Sequence, residues 1–335
     1  MRQPRSFNLF CVQSKQTGKW SFNRSRGKSG VIAFVRRVEV GAGIHSKRLE
    51  KEVNMPKKFH SFFKEPEGGE ANRCHYPTRL DTYGCGCAHD CSYCYAKSLL
   101  DFRNLWNPND PEVADVADIC KVLDKVQPGT VLGLGGMTDC FQECERQYKV
   151  TYQTIKEMNK RGIGYLIVTK SDLVAADEYI KIMDKDLAHI QITVTCLDDD
   201  LYREKAYEKA PLPTKRIAAI LKLQDAGFDV AIRLSPLIEE YMDFDKLNDL
   251  GIRKGIVEFL RINHWIQKWF DVDRRKYRIK DGGYRHLPIK EKVRIISKIH
   301  GMELSVCEDV GGHYNYWRYS FNPDPEDCCN LRKRG

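Results

Sequence analysis

Nowhere in the 335 residues does an apolar run approach the roughly 18 residues of a membrane-spanning helix. With 30% charged residues and a mean hydropathy of −0.52, a membrane-embedded protein is excluded. The apolar core of a secretory leader is missing near the N-terminus. Pro 13 and Gly 24 are ordinary usage, which rules out bulk disorder and collagen-like repeats. No solenoid-like repeat or low-complexity tract is visible. Most of the chain also lacks an excess of one charge. Of 55 Lys/Arg and 46 Asp/Glu, residues 1–54 hold 12 and 3, leaving 43 of each in residues 55–335. The net charge of +9 is therefore no argument that the body of the chain binds nucleic acid.

The expectation is two regions: a basic N-terminal extension, 1–54, and a catalytic body, 55–335 with its C-terminal segment. The extension reads as disordered or outside the native protein, with Met55-Pro56-Lys57-Lys58 as an alternative translation start, or else as an arm for anionic surfaces. The protein is expected to be cytoplasmic, with no membrane partner. Cysteine, by contrast, is abundant: 13 in a chain of this kind suggest metal or redox chemistry rather than a disulfide framework.

Beyond residue 75, β-rich runs alternate with helical periodicity. Strands are expected at 79–83, 130–134, 165–169, 190–195, 230–234, 256–262 and 303–307. Helices are expected at 92–102, 113–126, 147–160, 172–184, 213–226 and 288–299. Gly162 and Gly227 stand just past helical segments, Asp172 is a candidate cap, and Pro213 suits a first helical turn. Alternating strands and helices imply βαβ units with a parallel sheet. The expected fold class is α/β, a partial (β/α)6-type TIM barrel, with a doubly wound open sheet as the alternative. In a barrel the reactive residues lie at the C-terminal strand ends.

The strongest motif is Gly84-Cys85-Gly86-Cys87-Ala88-His89-Asp90-Cys91-Ser92-Tyr93-Cys94-Tyr95. Cys87-x3-Cys91-x2-Cys94 puts three thiols on one tight loop, enough for three irons of a [4Fe–4S] cube. The spacing holds no fourth ligand, and a reactive metal site keeps one position open. A zinc knuckle completed by Cys85 or His89 is the non-enzymatic alternative. The three-cysteine spacing, with an aromatic before the last Cys, resembles the radical SAM superfamily. That resemblance implies a [4Fe–4S] cluster on Cys87, Cys91 and Cys94. It further implies S-adenosylmethionine (SAM) chelated at the open iron and cleaved reductively to a 5′-deoxyadenosyl radical, with an external electron donor of the flavodoxin or ferredoxin type.

Later segments extend the resemblance. Gly135-Gly136-Met137-Thr138-Asp139 follows the second strand, where the glycines admit a ligand to the backbone. Thr169-Lys170-Ser171 ends the third, and Ile192-Thr193-Val194-Thr195 presents two hydroxyls on one face. With Val168–Leu173, residues 203–211 and the strand bearing Arg233 and Ser235, the order over about 76–265 is similar to the branch containing spore photoproduct lyases. By that resemblance Tyr93 lies against the adenine, Gly135, Gly136, Thr138 and Asp139 form the SAM amino-group motif, and Lys170 with Ser171 meets the carboxylate. Thr193 and Thr195 reach the carboxylate or ribose, Glu208 shapes the pocket edge, and Arg233 and Ser235 line the barrel. A buried Arg233 needs an anionic or acceptor partner, which favours a ligand there. The hydrogen-donating cysteine of such lyases has no counterpart at Gly135-Gly136-Met137. Cys140 and Cys144 are the nearest candidates for that role, and small buried hydrophobes are their ordinary alternative.

Two further features bear on the substrate. Residues 261–286 interleave eight Lys/Arg with Trp265, Trp269, Phe270, Tyr277 and Tyr284. Such a segment suits a DNA or RNA backbone with stacked bases, or else forms a lid packed on the barrel rim. Cys307, Cys328 and Cys329, with Cys85 as a further candidate, suggest an auxiliary metal site of the kind that would go with peptide modification.

Overall fold

A computed structural model describes residues 58–59, 62–64, 73–205 and 209–332; the expected extension 1–54 lies outside the described residues. Seven strands run parallel in one sheet: β1 (Arg79–Leu80), β2 (Val131–Leu134), β3 (Gly164–Thr169), β4 (Ala188–Thr193), β5 (Asp229–Leu237), β6 (Lys254–Phe259) and β7 (Glu303–Val306). They stand side by side in chain order. Phe63–Lys64 adds an antiparallel strand beside β1. The sheet is open between that strand and β7, so it is a barrel in part only. Its central strands read Gly-Tyr-Leu-Ile-Val-Thr and Ala-His-Ile-Gln-Ile-Thr and are buried almost throughout, as parallel strands covered on both faces must be. No helix among the described residues is long and apolar enough to cross a membrane.

The crossover helices follow the expected logic. Pro213 opens the helix Pro213–Asp225, and Gly162 (φ +63°) and Gly227 (φ +83°) take the left-handed position just beyond two helices. Several expected elements are interrupted, each for a local reason. The 79–83 strand breaks at Asp81–Thr82, and its second half, Tyr83–Gly84, pairs with Glu112–Ala114. The helix expected from 113 therefore starts at Val116, with Asp115 accepting from the Ala117 amide. Ser171, not Asp172, caps the turn Asp172–Ala175, and a separate helix Asp177–Ile182 follows. The 190–195 strand ends at Thr193 and the 256–262 strand at Phe259. Helices Asp199–Lys205 and Gly311–Ser320 carried no strong periodic signal.

One buried carboxylate joins this scaffold to the cysteine loop. Glu145 accepts from the hydroxyls of Tyr83 and Tyr179 and from the amides of Thr151 and Tyr152. The two amides belong to the first turn of the helix Val150–Lys160. That helix follows Lys149, in a left-handed conformation with no side-chain cap of its own. Glu145 supplies the missing cap and favours the helix dipole, while its bond to Tyr83 anchors the strand from which the cysteine loop departs. Replacing Glu145 by Leu strands four donors. At about 1–3 kcal/mol per buried unsatisfied group, Glu145→Leu is expected to lower unfolding free energy by about 3 kcal/mol or more in urea titrations; an unchanged midpoint would show that the joint is dispensable.

Candidate functional site

The cysteine loop is shaped by two consecutive turns. The Asp90 amide donates to the Cys87 carbonyl at 3.1 Å and the Cys94 amide to the Cys91 carbonyl at 3.2 Å, curling the three thiols toward one side. Cys94 caps the helix Tyr95–Asp101, accepting at Sγ from the Lys97 amide. Gly86 passes so close to the Asn107 carbonyl that a Cβ would sit 1.8 Å from its oxygen, which makes glycine obligatory. Gln142 clamps the loop from outside, accepting from the Ala88 amide at 2.9 Å and donating to the Gly86 carbonyl at 3.2 Å.

The loop opens onto a cavity of about 330 Å³ at the C-terminal ends of the strands. Cys87, Cys91, Cys94, Tyr93, Gly135, Gly136, Thr138, Asp139, Lys170, Thr193, Arg233 and Ser235 all line it. The structure thus gathers residues scattered over 150 positions of sequence. Ser171 and Thr195 do not line it. Ser171 caps the following turn, and Thr195 lies behind Tyr93, whose hydroxyl reaches it at 3.5 Å. Glu208 lies outside the described residues. Cys140 and Cys144 are also absent from the lining. Cys140 is fully buried in the core with its thiol on the Leu134 carbonyl, and Cys144 packs against that core. The side chains following Asp139 turn into the protein because the Asp139 carboxylate accepts from the Phe141 amide and folds the chain back.

Asp139 ties the motifs together. It accepts from His89 Nε2 at 3.1 Å, the Thr169 hydroxyl at 2.7 Å and the Lys170 amide at 2.7 Å. Burial alone would raise its pKa. The opposing pull of His89 and the hydrogen bonds from Lys170 and Thr169 hold it below the usual carboxylate range. His89 Nε2 is thereby committed to a carboxylate. Asp81, which gave no signal in sequence, accepts from the amides of Gly136 and Met137 and fixes the glycine loop. A Cβ on Gly135 (φ +81°) would meet the Thr138 carbonyl oxygen at 2.8 Å, so this turn also requires glycine. The Tyr95 hydroxyl takes the Gly136 carbonyl at 2.8 Å. Lys170 Nζ donates to the Tyr93 hydroxyl at 2.9 Å and lies 4.9 Å from the centre of its ring. Phe270 meets the same ring edge-on at 5.4 Å.

The far wall carries an ion-pair relay. Arg233 donates to Glu258 at 2.7 Å and to Gln191 at 2.6 Å, and Ser235 donates to the same Glu258 oxygen at 2.9 Å. Arg261 lies 3.7 Å from Glu258 and donates to Asp309 at 2.8 Å. The anionic partner of Arg233 is therefore a protein side chain. This corrects the inference that a buried Arg there points to a ligand. The residue responsible, Glu258, stands one strand away on β6, beyond the reach of motif spacing.

The donor set fits an iron–sulfur cluster. Burial pushes the Cys87 and Cys94 thiols up, so metal loading must displace protons, and three converging thiols leave one position of a cube for another ligand. A family model described as the radical SAM superfamily matches residues 82–250. Among curated proteins, uncharacterized proteins of Mycobacterium bovis and Mycobacterium tuberculosis are 25% identical over 168 residues, 47% of this chain and 49% of theirs. The chain thus spans about half the length of the curated relatives it matches. Among solved structures, a spore photoproduct lyase variant with AdoMet and dinucleoside spore photoproduct bound superposes with a TM-score of 0.54 at 14% identity, over 72% of this chain and 78% of that one. A second variant gives 0.57 at 15% identity over 73% and 79%. At such identities the likeness is one of fold.

The relay has a pH signature. Burial acts to raise the Glu258 pKa, but Arg233 and Arg261 together with two hydrogen bonds bring it down to about 2. Against about 4.3 in an unfolded chain, its contribution is complete above the unfolded value and is lost as pH falls from about 5 to about 2. Glu258→Gln is expected to be less stable than the parent at pH 7, with the gap in urea midpoint narrowing over that window. A gap independent of pH would remove the charge from the explanation.

Proposed function

The chain belongs to the radical SAM superfamily, and from that premise we propose an enzyme that abstracts hydrogen from a nucleic-acid lesion or base, in the manner of a spore photoproduct lyase. Its cofactors are a [4Fe–4S] cluster and SAM, and like other members of the superfamily it requires an external reductant. A flavodoxin- or ferredoxin-type donor fits that need. Bound together, the cofactors supply one-electron cleavage of a sulfonium and hydrogen-atom abstraction. Cys87, Cys91 and Cys94 would each take one iron. Gly135, Gly136 and Thr138 would admit the SAM amino group to the backbone, and Lys170, Thr193 and Tyr93 would hold its carboxylate, ribose and adenine. Asp139 acts as a positioning residue through His89, Thr169 and Lys170. Arg233 and Ser235 set the far wall through Glu258. The enclosing barrel keeps solvent and loose reductant from a reactive carbon centre. Cys140 and Cys144, away from the cavity, receive no role at the reacting atoms. All these groups belong to residues 55–335.

The observation that favours nucleic acid is an aromatic platform beside the cysteine loop. Phe102, 69% exposed, lies 6.2 Å from Trp265, which lies 6.2 Å from Trp269. Lys268 sits 5.1 Å above Trp265 and Lys97 5.0 Å above Trp269. Asn263 ties this segment to the helix after Cys94 through Ser98 at 3.0 Å. One exposed ring beside two half-buried indoles, with ammonium groups over them, suits unstacked bases and their phosphates. Elsewhere in 261–286, Phe270 and Tyr277 are buried, while most of residues 271–285 are exposed.

Anaerobic reconstitution is expected to give about four irons in the cysteine-loop site and 5′-deoxyadenosine from SAM when reductant is added, with Cys87→Ala, Cys91→Ala or Cys94→Ala abolishing both. Irradiated or undamaged oligonucleotides should raise 5′-deoxyadenosine yield and form modified products. Phe102→Ala with Trp265→Ala should weaken oligonucleotide binding by about tenfold or more, given about 1–3 kcal/mol per stacked base, while substrate-free SAM cleavage persists. Unchanged oligonucleotide affinity in that variant would overturn the nucleic-acid reading.

A further inference from the structure

Four more thiols face the same cavity. Cys74 precedes β1, Cys307 follows β7, and Cys328 and Cys329 lie in the tail after the helix Gly311–Ser320; all four line the cavity wall as free thiols. Cys328 is within hydrogen-bonding contact of Cys307 and Cys329, and Cys74 lines the same cavity within range of the charges of Cys307 and Cys329. Cys85, the fourth candidate suggested by sequence, is not part of this lining, and Cys74 takes its place.

The two thiol-bearing segments, one before β1 and one after the helix Gly311–Ser320, are clasped together. Asp327 accepts from the Tyr76 hydroxyl at 2.7 Å and from the amides of Cys329 and Leu331, each at 2.9 Å. The Cys328 amide donates to His75 Nδ1 at 3.3 Å. Lys254 holds the Asn330 carbonyl at 2.6 Å, where the backbone is left-handed (φ +47°), and the Arg332 amide donates to Asp229 at 2.8 Å. An irregular tail held at so many points presents its two thiols in one arrangement. Lone buried cysteines behave as small hydrophobes. Four free thiols on the wall of one cavity, Cys328 in contact with two of the others, match the ligand count of a thiolate-bound cluster.

We propose that Cys74, Cys307, Cys328 and Cys329 hold a second, thiolate-ligated metal centre, of zinc or of iron and sulfide, on the wall of the cavity that the Cys87–Cys94 loop faces. Binding transfers the thiol protons to solvent as metal–sulfur bonds form. This site does not depend on SAM chemistry.

The test uses the full chain with Cys87, Cys91 and Cys94 replaced by Ala, loaded anaerobically with zinc alone or with iron and sulfide, and analysed for metal. About one zinc, or about four irons with matching sulfide, is expected to remain per chain. Adding Cys74→Ser and Cys329→Ser should remove at least nine-tenths of it, with circular dichroism reporting whether each variant is folded. In wild-type protein, the metal should protect these four thiols from alkylation until a chelator is added. Retained zinc identifies a zinc site and retained iron a second cluster. A folded triple variant that holds neither metal, or four thiols alkylated equally with and without metal, would overturn the proposal.

Discussion

A single carboxylate, Asp139, holds the reactive end of the molecule in register. Three loops leave three different strands, and nothing in their local sequence obliges them to meet. His89 from the cysteine loop, Thr169 and the Lys170 amide from the end of β3, and the Phe141 amide from its own turn all donate to its two oxygens. A buried carboxylate is costly unless its acceptor sites are filled; here they are filled by the elements that need positioning. Asp81 repeats the device one strand earlier, pinning the glycine loop by two amides, and Glu145 repeats it below, linking the root of the cysteine loop to the capped helix behind it. Three buried acids thus convert flexible loop chemistry into a fixed arrangement, as the radical chemistry proposed for this site would require.

The cavity is divided electrostatically. On the side of the cysteine loop, cation and ring are stacked as Lys170 on Tyr93. On the opposite side Arg233 and Arg261 are balanced by Glu258 and Asp309. That balance explains how a chain that is neutral from residue 55 onward carries several buried guanidinium groups at its centre. Charge here is arranged locally and says little through its sum.

The irregular segments flanking the parallel sheet contribute more than their composition suggests. The segment around Cys74–Tyr76 and the tail around Asp327–Arg332 are bound to each other and to strands β5 and β6. They close part of the cavity wall that the incomplete barrel leaves to other elements. The aromatic platform does the corresponding work outside, because the helix that starts at Cys94 ends at the exposed ring of Phe102.

Features encoded over short spans were readable from residues alone. The alternation of strands and helices follows from side-chain periodicity, and the three-thiol loop follows from spacing within eight residues, where two backbone turns suffice to bring the sulfurs together. The same local logic placed Gly162 and Gly227. What only the tertiary structure decided are the facing directions and partners of groups far apart in the chain. Cys140 and Cys144 turn inward, Cys74 stands where Cys85 was a candidate, and the counter-charge of Arg233 is Glu258 rather than a ligand. Strand register and loop closure set those outcomes. A one-residue change in either reverses which side chain meets the cavity, and no periodicity within a segment records the segment it will pack against.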